Sequence, residues 1–376
     1  MNILVVNPIV YTSETKQIKR AKTIKDSMIY DLCLAFYKKG HRVTLYVAEP
    51  FKPYASEEYP FRVLWGKCIA KKIFMPHCFP FMPELKKYIR RNSEKLDLII
   101  CSEVFSMSSL MAVTEAPKKV IIWHELAKHN AILKKLPSRF WYNIIAKIFM
   151  GKVEVVPRSK EAKKFISQYC KNTQDIIIDH GVNLAKFIPA EQKTNSFVVC
   201  SQLIPRKRIG DIIDRFAKFV CDSNRKYILY IIGEGELYTE LKNQVKKLKI
   251  EEKVVFTGKL QHNTLLPYLA EAQALLVNTI KDNNMISIVE SIAVGTPVIT
   301  TEIPLNAAYI KSEQLGIVKN DWDEKDLEEV VNNHIFYREN CLNYRECLST
   351  QERVRQFEEI RSFLYNSNIR NSEKEG

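Results

Sequence analysis

Glycine is scarce in this chain, with 11 among 376 residues. This low count, together with 46% hydrophobic residues, predicts a globular rather than a disordered protein. Long apolar runs are also missing, and none approaches the roughly 20 residues that cross a bilayer as a helix. A chain of 376 residues is long enough for two α/β domains, each with its own core.

Paired cysteines are absent as well. The nine cysteines are scattered singly, without a Cys-x-x-Cys pair or a histidine cluster beside them. This spacing argues against structural zinc and indicates a reducing compartment. The amino-terminal run MNILVVNPIV has no basic region before it, and polar residues follow at once, so it predicts a first strand rather than a signal peptide. We therefore expect a cytoplasmic protein.

Acidic residues are sparse in the first half of the chain. Residues 1–190 carry 32 Lys and Arg against 16 Asp and Glu, a net charge of +16, whereas residues 191–376 carry a net charge of −2. The first half is therefore expected to meet an anionic partner. We do not expect this partner to be nucleic acid, because the sequence lacks zinc-finger spacing, an aromatic RNP string and an evident helix-turn-helix.

In two segments of this half, Lys71 to Arg91 and Leu133 to Lys152, basic residues alternate with large apolar ones. The mixture favours an anionic membrane surface, and the protein would then be peripheral on the inner face of the cell membrane. A helix that turns an apolar face to a protein core produces the same pattern. Both interpretations apply equally to five residues of the second segment: Phe140, Trp141, Ile144, Ile145 and Ile148.

Short β-branched apolar runs alternate with helix-length gaps in two series, one ending before residue 180 and one starting after residue 195. Such alternation predicts α/β domains with doubly wound parallel sheets. The polar stretch 189–196 between the series is typical of an interdomain linker. We expect two Rossmann-like domains, residues 1–188 and 189–350, facing each other across a cleft.

The stretch Asp282 to Ile299 carries the strongest functional signal. An apolar strand leads into a polar loop, a short helix begins near Ile286, and Gly295 ends it before the next strand. In a parallel sheet such a loop lies at the carboxyl edge, where ligands bind, and the amides of a helix start attract phosphate. Two carboxylates bracket this loop, Asp282 and Glu290.

This spacing resembles the paired-acid signature of glycosyltransferase family 4, which reads Glu, seven residues, Glu, then Ala-x-Gly-x-Pro-Val. Asp282 replaces the first Glu, and the residues that fit the rest are Ala293, Gly295, Pro297 and Val298. The family has the GT-B fold and retains the anomeric configuration, generally without a metal. The resemblance implies transfer of a sugar from a nucleotide donor, expected to be UDP-linked, to a hydroxyl of a lipid-linked or polysaccharide acceptor in cell-surface glycan biosynthesis. It implies no cofactor, and it places a last helix, about 351–366, against the first domain.

The resemblance assigns catalytic roles to three residues. Lys207 falls on the Lys of the family motif Gly-Arg-Leu-x-x-x-Lys-Gly and is implied to stabilise the departing diphosphate, which gains negative charge as the sugar leaves. Asp282 is implied to lie beside the sugar hydroxyls, and His124, at a strand end, to contact the donor sugar and phosphate. A lone histidine is more often structural, but its place at the carboxyl edge favours function.

Further residues are implied to bind the donor. Glu290 would accept hydrogen bonds from the ribose hydroxyls, and the base would contact main chain near Leu260. Gln202 replaces the Arg of the family motif, and Arg206 or Arg208 is the candidate to supply that charge. Main-chain groups that would lie beside the nucleotide, its phosphates or the sugar belong to Gly233, Asn283, Asn284, Met285 and Ile286.

Two acid or hydroxyl motifs are interpreted as architectural. Ser159 predicts a helix N-cap. Asp321-Trp322-Asp323 contains an Asp-x-Asp, but a cap for the helix that follows is favoured over a metal site.

Two other functions remain open from the sequence. A GT-B nucleotide-sugar epimerase or hydrolase would share the fold and need no acceptor. A membrane-associated binding protein without activity is favoured by Gln202 and Asp282, which depart from the family pattern.

Overall fold

The computed structural model describes residues 1–11, 18, 21–130, 135–151, 153–222, 226–282 and 284–375. The chain divides into two compact units, one formed by Met1–Gly181 with Thr350–Gly376 and the other by Val182–Ser349. The chain thus leaves the first unit and returns to it at its end.

The first unit is built on one sheet of six parallel strands in the order β3-β2-β1-β4-β5-β6. The strands are β1 Asn2–Val6, β2 Arg42–Ala48, β3 Arg62–Gly66, β4 Leu98–Ser102, β5 Val120–His124 and β6 Glu154–Pro157. Except in the edge strand β3, where they are half-buried, their Val, Ile and Leu side chains are buried on both faces of the sheet, as parallel strands between helical layers require. The order reverses between β1 and β4, and ligands of such sheets bind at the carboxyl ends there.

Helices cover this sheet. They are α1 Met28–Lys38, α2 Pro83–Asn92, α3 Met107–Glu115, α4 Leu136–Phe140, which continues as a π-helix over Trp141–Met150, and α5 Lys160–Ile166. The Ser159 hydroxyl accepts a hydrogen bond from the Ala162 amide at 3.0 Å, which confirms the predicted N-cap of α5.

The second unit repeats this topology with the strand order β12-β11-β10-β7-β8-β9, again all parallel. The strands are β7 Ser196–Cys200, β8 Ile228–Ile232, β9 Val254–Gly258, β10 Ala274–Leu276, β11 Val298–Thr300 and β12 Gly316–Val318. Here the order reverses between β7 and β10. The loops that follow these two strands carry Lys207 and Asp282, so the topology brings them to one edge of the sheet.

The helices of the second unit complete its two layers. They are α6 Ile209–Asp222, α7 Tyr238–Lys247, α8 His262–Glu271, α9 Ile286–Ala293, α10 Ala307–Ser312, α11 Glu324–Asn332 and α12 His334–Tyr344. At the start of α11, the Asp323 carboxylate accepts from the Lys325 amide at 3.0 Å, and the Asp326 carboxylate accepts from the Asp323 amide at 2.7 Å. This capping box confirms the predicted capping role of Asp323.

The last helix, α13 Thr350–Glu375, belongs to the first unit. The buried Phe357 ring packs 5.5 Å from Trp123 and 6.3 Å from Phe36, and Glu358 pairs with His41 at 2.7 Å. The helix extends beyond residue 366, because its last ten residues contain no Gly or Pro that would stop it. No helix in the described part of the chain has the length and apolar character needed to cross a bilayer.

The five residues for which the sequence allowed either a membrane surface or a core face differ in their burial. Trp141 is buried in the core of the first unit and Ile145 is half-buried against it. Phe140, Ile144 and Ile148 are exposed by 58%, 42% and 68%. The helix therefore has a core face and a second apolar face that the protein leaves in solvent.

Candidate functional site

The loop after β7 holds two cations at the carboxyl edge of the second sheet. Residues Pro205–Lys207 form a 3₁₀ turn, and Arg208 follows in a left-handed conformation with a φ of +48°. A left-handed residue other than Gly costs about 1–2 kcal/mol, and this is the position where the family motif has its last Gly. The Arg208 side chain forms an ion pair with Asp211.

Asp282 forms ion pairs with both cations in the structure. Its Oδ1 accepts from Arg206 at 2.8 Å, and its Oδ2 accepts from the Lys207 ammonium at 2.7 Å and from the Thr279 hydroxyl at 2.6 Å. Burial alone would raise the pKa of Asp282, but these hydrogen bonds outweigh burial, so its pKa lies below the ordinary value. Lys207 is only 8% exposed, and its charge is therefore held close to the acid.

This arrangement adds a contact that the family roles do not include. The resemblance sets Asp282 against the sugar and Lys207 against the diphosphate, whereas in the structure each is the partner of the other. Two cations against one acid leave a net positive charge. An incoming diphosphate would meet this charge, and it would compete with Asp282 for the cations.

Glu290 lies one turn into α9 and is 7% exposed. Its Oε1 lies 2.8 Å from Nε2 of His262, the first residue of α8. The His262 ring also meets the Phe187 ring edge-on at 5.6 Å. The carboxylate expected to bind ribose is thus held by an imidazole at the rim of the same sheet edge.

Cys200, at the end of β7, lies within electrostatic range of Lys207 and Glu290. Burial raises the pKa of its thiol to about 12. The negative charge of Glu290 also raises this pKa, and the positive charge of Lys207 lowers it. The strand order places the loop after β7, with Lys207, and the start of α9, with Glu290, at the same edge of the sheet.

At the start of α9, one backbone amide already has a hydrogen-bond partner within the protein. The Met285 amide donates to the side-chain oxygen of the buried Asn306 at 2.6 Å. Ile286 is 61% exposed and Asn284 is half-buried, so this loop reaches solvent. Asn283, also expected to contribute an amide, lies outside the described residues.

Gly233 and Gly235 are needed for backbone packing beside the site. A Cβ at Gly233 would lie 1.9 Å from the Ser201 carbonyl oxygen, and one at Gly235 would lie 2.3 Å from that of Leu203. The Gly-x-Gly thus allows the loop that leads to Lys207 to lie directly on it. Of the other expected donor residues, Gln202 is exposed on this loop and Leu260 is half-buried after β9.

His124 ends β5 in the first unit and has no exposed surface. Its Nδ1 lies 2.9 Å from Glu103, but the two groups are not aligned as a hydrogen bond, and both ring nitrogens are buried without a hydrogen-bond partner. The imidazole stacks at 6.3 Å on Phe165. Donor contact through this side chain would require the surrounding side chains to move.

A charged cluster surrounds His124 at this sheet edge. Glu125 pairs with Arg158 at 2.9 Å and lies 3.6 Å from His180. Burial would raise the pKa of Glu125, but His180 and Arg158 lower it to about 2. Since the carboxylate is 54% exposed, water screens these interactions and the pair stabilises the fold by less than this pKa implies. The Arg158 guanidinium lies 3.6 Å over the Trp123 ring.

Four polar residues of these clusters were not expected from the sequence: Glu103, His262, Thr279 and Asn306. Thr279 stands three residues before Asp282, where a polar residue after a buried strand could have been recognised. The other three reach their partners through strand order and helix packing, which no local spacing records.

Residues 183–346 match the family model of the glycosyl transferases, group 1. These residues are a group 1 glycosyl transferase domain. The domain contains Lys207, Asp282 and Glu290, and it lies within the second unit.

Curated relatives match part of the chain. The O-antigen chain mannosyltransferase RfbU of Salmonella typhimurium is 27% identical over 157 residues, which are 42% of this chain and 43% of that protein. The alpha-monoglucosyldiacylglycerol synthase of Streptococcus pneumoniae is 24% identical over 178 residues, 43% of this chain and 40% of that protein. The chain thus matches less than half the length of these relatives.

Solved structures match nearly the whole chain at low identity. Sucrose-phosphate synthase from Thermosynechococcus elongatus superposes with a TM-score of 0.63 at 15% identity, covering 97% of this chain and 99% of that one. Anabaena HepE in complex with UDP gives 0.63 at 14% identity, covering 96% and 100%. These similarities show the fold, which is GT-B, as the resemblance implied.

Proposed function

We propose that this protein is a retaining family 4 glycosyltransferase that moves a hexosyl group from a nucleotide donor, UDP-linked by preference, to an acceptor hydroxyl. The observation that carries the proposal is that Arg206, Lys207, Asp282 and Glu290 lie at one edge of the second sheet. A UDP complex of a protein with the same fold, HepE, supports the choice of nucleotide.

In the proposed reaction, the acceptor oxygen attacks the anomeric carbon from the face that the diphosphate leaves. The bond between the sugar and the diphosphate breaks, and the leaving diphosphate oxygen takes the proton of the acceptor hydroxyl. Lys207 and Arg206 would stabilise the charge on the leaving diphosphate. Asp282 would hold these cations in place before the donor arrives, and Glu290 would accept hydrogen bonds from the ribose hydroxyls. The role of His124 stays a prediction, and neither a metal nor a cofactor beyond the nucleotide sugar is invoked.

The proposed acceptor is a lipid-linked or polysaccharide precursor of a cell-surface glycan. RfbU, by its name, extends the O-antigen chain, and the pneumococcal relative makes a glycolipid. The proposed location is the cytoplasm, with peripheral attachment to the inner face of the membrane, which accords with the +16 charge of residues 1–190.

Two charge-removing variants test the site. We expect Lys207→Met to lower kcat for a UDP-sugar by about a hundredfold or more, because a cation that stabilises the transition state is lost. Glu290→Gln should weaken UDP binding about tenfold, since hydrogen bonds to a charged carboxylate contribute more than those to an amide. Lys311→Met and Glu302→Gln, with side chains exposed by 68% and 54%, are the matched controls and should leave both quantities unchanged.

The measurements are calorimetric titration with UDP and turnover with and without a lipid-linked acceptor, with the anomer of the product read by NMR. Full activity in both site variants would contradict the assignment. Equal turnover without acceptor would favour a hydrolase or epimerase, and failure to bind any nucleoside diphosphate would favour a binding protein without activity.

A further inference from the structure

The helical segment from Leu136 to Met150 presents one buried face to the first unit. Trp141, Tyr142, Ala146 and Met150 are all less than 8% exposed, and the Trp141 indole donates to the Val104 carbonyl at 2.8 Å. This face anchors the helix, so its other face has a defined orientation.

The opposite face is apolar and exposed. Leu136, Phe140, Ile144, Ile148 and Phe149 are exposed by 65%, 58%, 42%, 68% and 45%, and we refer to these five residues as the apolar stripe. They follow one another at intervals of mostly four residues, and the wide turn of a π-helix keeps such positions on one side. A single exposed apolar residue is ordinary, but a group of this size on one short helix marks a contact surface.

Cations border the apolar stripe. Lys135, Arg139 and Lys147 are exposed on the same segment, and the sequence contains no Asp or Glu from residue 126 to residue 153. Large apolar side chains interleaved with Lys and Arg are typical of a helix that lies in the headgroup region of an anionic bilayer. Protein interfaces are depleted in lysine, so the charge favours lipid over a protein partner.

A second exposed basic and apolar segment is packed beside this helix. Ile69 and Ile73 are exposed by 42% and 74%, and Lys71 and Lys72 between them are exposed too. The same segment continues to Phe79, whose ring meets Trp141 edge-on at 5.3 Å. The structure thus brings together the two stretches in which the sequence combines these residue types.

We infer that the apolar stripe, with Lys135, Arg139 and Lys147, is the surface by which this protein inserts into the headgroup region of an anionic lipid bilayer. The inference deepens the proposed peripheral location and names its surface. It does not depend on catalysis, because the stripe lies in the first unit and contains none of the residues assigned to the donor.

Flotation with lipid vesicles tests this surface. The full chain should float with vesicles of phosphatidylcholine mixed with phosphatidylglycerol and remain at the bottom with phosphatidylcholine alone, and added salt should reduce binding. A triple variant, Phe140→Ser with Ile144→Ser and Ile148→Ser, should bind at least about a hundredfold more weakly, because the apolar area that enters the lipid is lost. Replacing Lys135, Arg139 and Lys147 by Gln should cost roughly a hundredfold.

The matched control is Ile335→Ser with Phe336→Ser, which removes apolar side chains exposed by 74% and 48% on α12 and should float like the parent. Thermal shift by UDP, measured on the same samples, reports the donor site separately, so failure of the proposed function and failure of this inference are distinguishable. The inference is overturned if the serine triple variant floats like the parent. It is equally overturned if the parent does not float and instead forms a dimer that the triple variant loses.

Discussion

The buried Lys207 and the half-buried Lys193 of the second unit have different partners. Lys207 donates to the Asp282 carboxylate at 2.7 Å, whereas Lys193 donates to the neutral Thr296 hydroxyl at 2.6 Å. Burial, followed by the positive charge of Arg338, lowers the pKa of Lys193 to about 7. Burial, Lys193 and Arg338 likewise lower the pKa of His334 to about 4. This second group of cations is therefore a source of pH-dependent stability.

We predict that replacing Lys193 by Met changes how stability depends on pH. The folded-state pKa of about 7 lies below the ordinary value of 10.5, so between these values the unfolded state binds a proton that the folded state lacks. The parent should therefore gain stability relative to Lys193→Met as pH rises from 7 towards 10, by on the order of 2 kcal/mol, and the cost of the buried charge should be fully present below pH 7.

Urea unfolding of both proteins across this pH range measures the difference. Lys311→Met, with its side chain 68% exposed, is the control and should show no such trend. A constant difference between the parent and Lys193→Met across the range would contradict the prediction.

At the scale of elements, the core of the first unit depends on α13, a helix that is far from the rest of this unit in the sequence. Phe357 is fully buried between Phe36 of α1 and Trp123 of β5. A helix that arrives after the whole second unit thus closes the core of the first.

We predict that Phe357→Ala destabilises the first unit by about 3–5 kcal/mol, because truncation leaves a cavity between two aromatic rings. Phe336→Ala, at a residue that is 48% exposed on α12, should change stability by less than about 1 kcal/mol. Denaturant unfolding followed by tryptophan fluorescence measures both effects, with Trp123 as the reporter in the affected core. Equal effects of the two substitutions would show that α13 does not close this core.

At the scale of the whole molecule, the hydrophobic cores are separate. In the described part of the chain, one cluster of buried residues lies wholly in the first unit, and the other two lie wholly in the second. The ends of the second unit also meet, because the Val182 amide donates to the Leu348 carbonyl at 2.9 Å. A unit with its own core and adjoining ends has what independent folding requires.

We predict that a fragment of residues 182–349 folds alone and binds UDP within about tenfold of the affinity of the full chain, because the proposed donor site and its supporting core are retained. A fragment of residues 1–181 should aggregate, since loss of α13 exposes Phe36 and Trp123. Joining residues 350–376 to that fragment should restore solubility. Heteronuclear NMR spectra and calorimetric titration with UDP measure these outcomes, and an unfolded fragment 182–349 would contradict the prediction.

Local patterns determined much of this architecture from the sequence alone. Alternating apolar runs and helix-length gaps specify two parallel sheets, since a strand buried on both faces needs an uninterrupted apolar run. The helix starts at Ser159 and Asp323 are equally local, because a cap involves residues within a single turn. The place of Asp282 and Glu290 around a strand-end loop also follows from sequence spacing.

Only the tertiary structure decided which groups meet. Asp282 reaches Lys207 across 75 positions, because β10 pairs with β7 although β8 and β9 come between them in the chain. His262 reaches Glu290 through the packing of α8 against α9. Phe140 faces solvent, whereas the neighbouring Trp141 is buried in the core. Strand order and helix docking are set by the burial of the whole apolar surface. That is a property of all residues together, and a local run of sequence does not contain it.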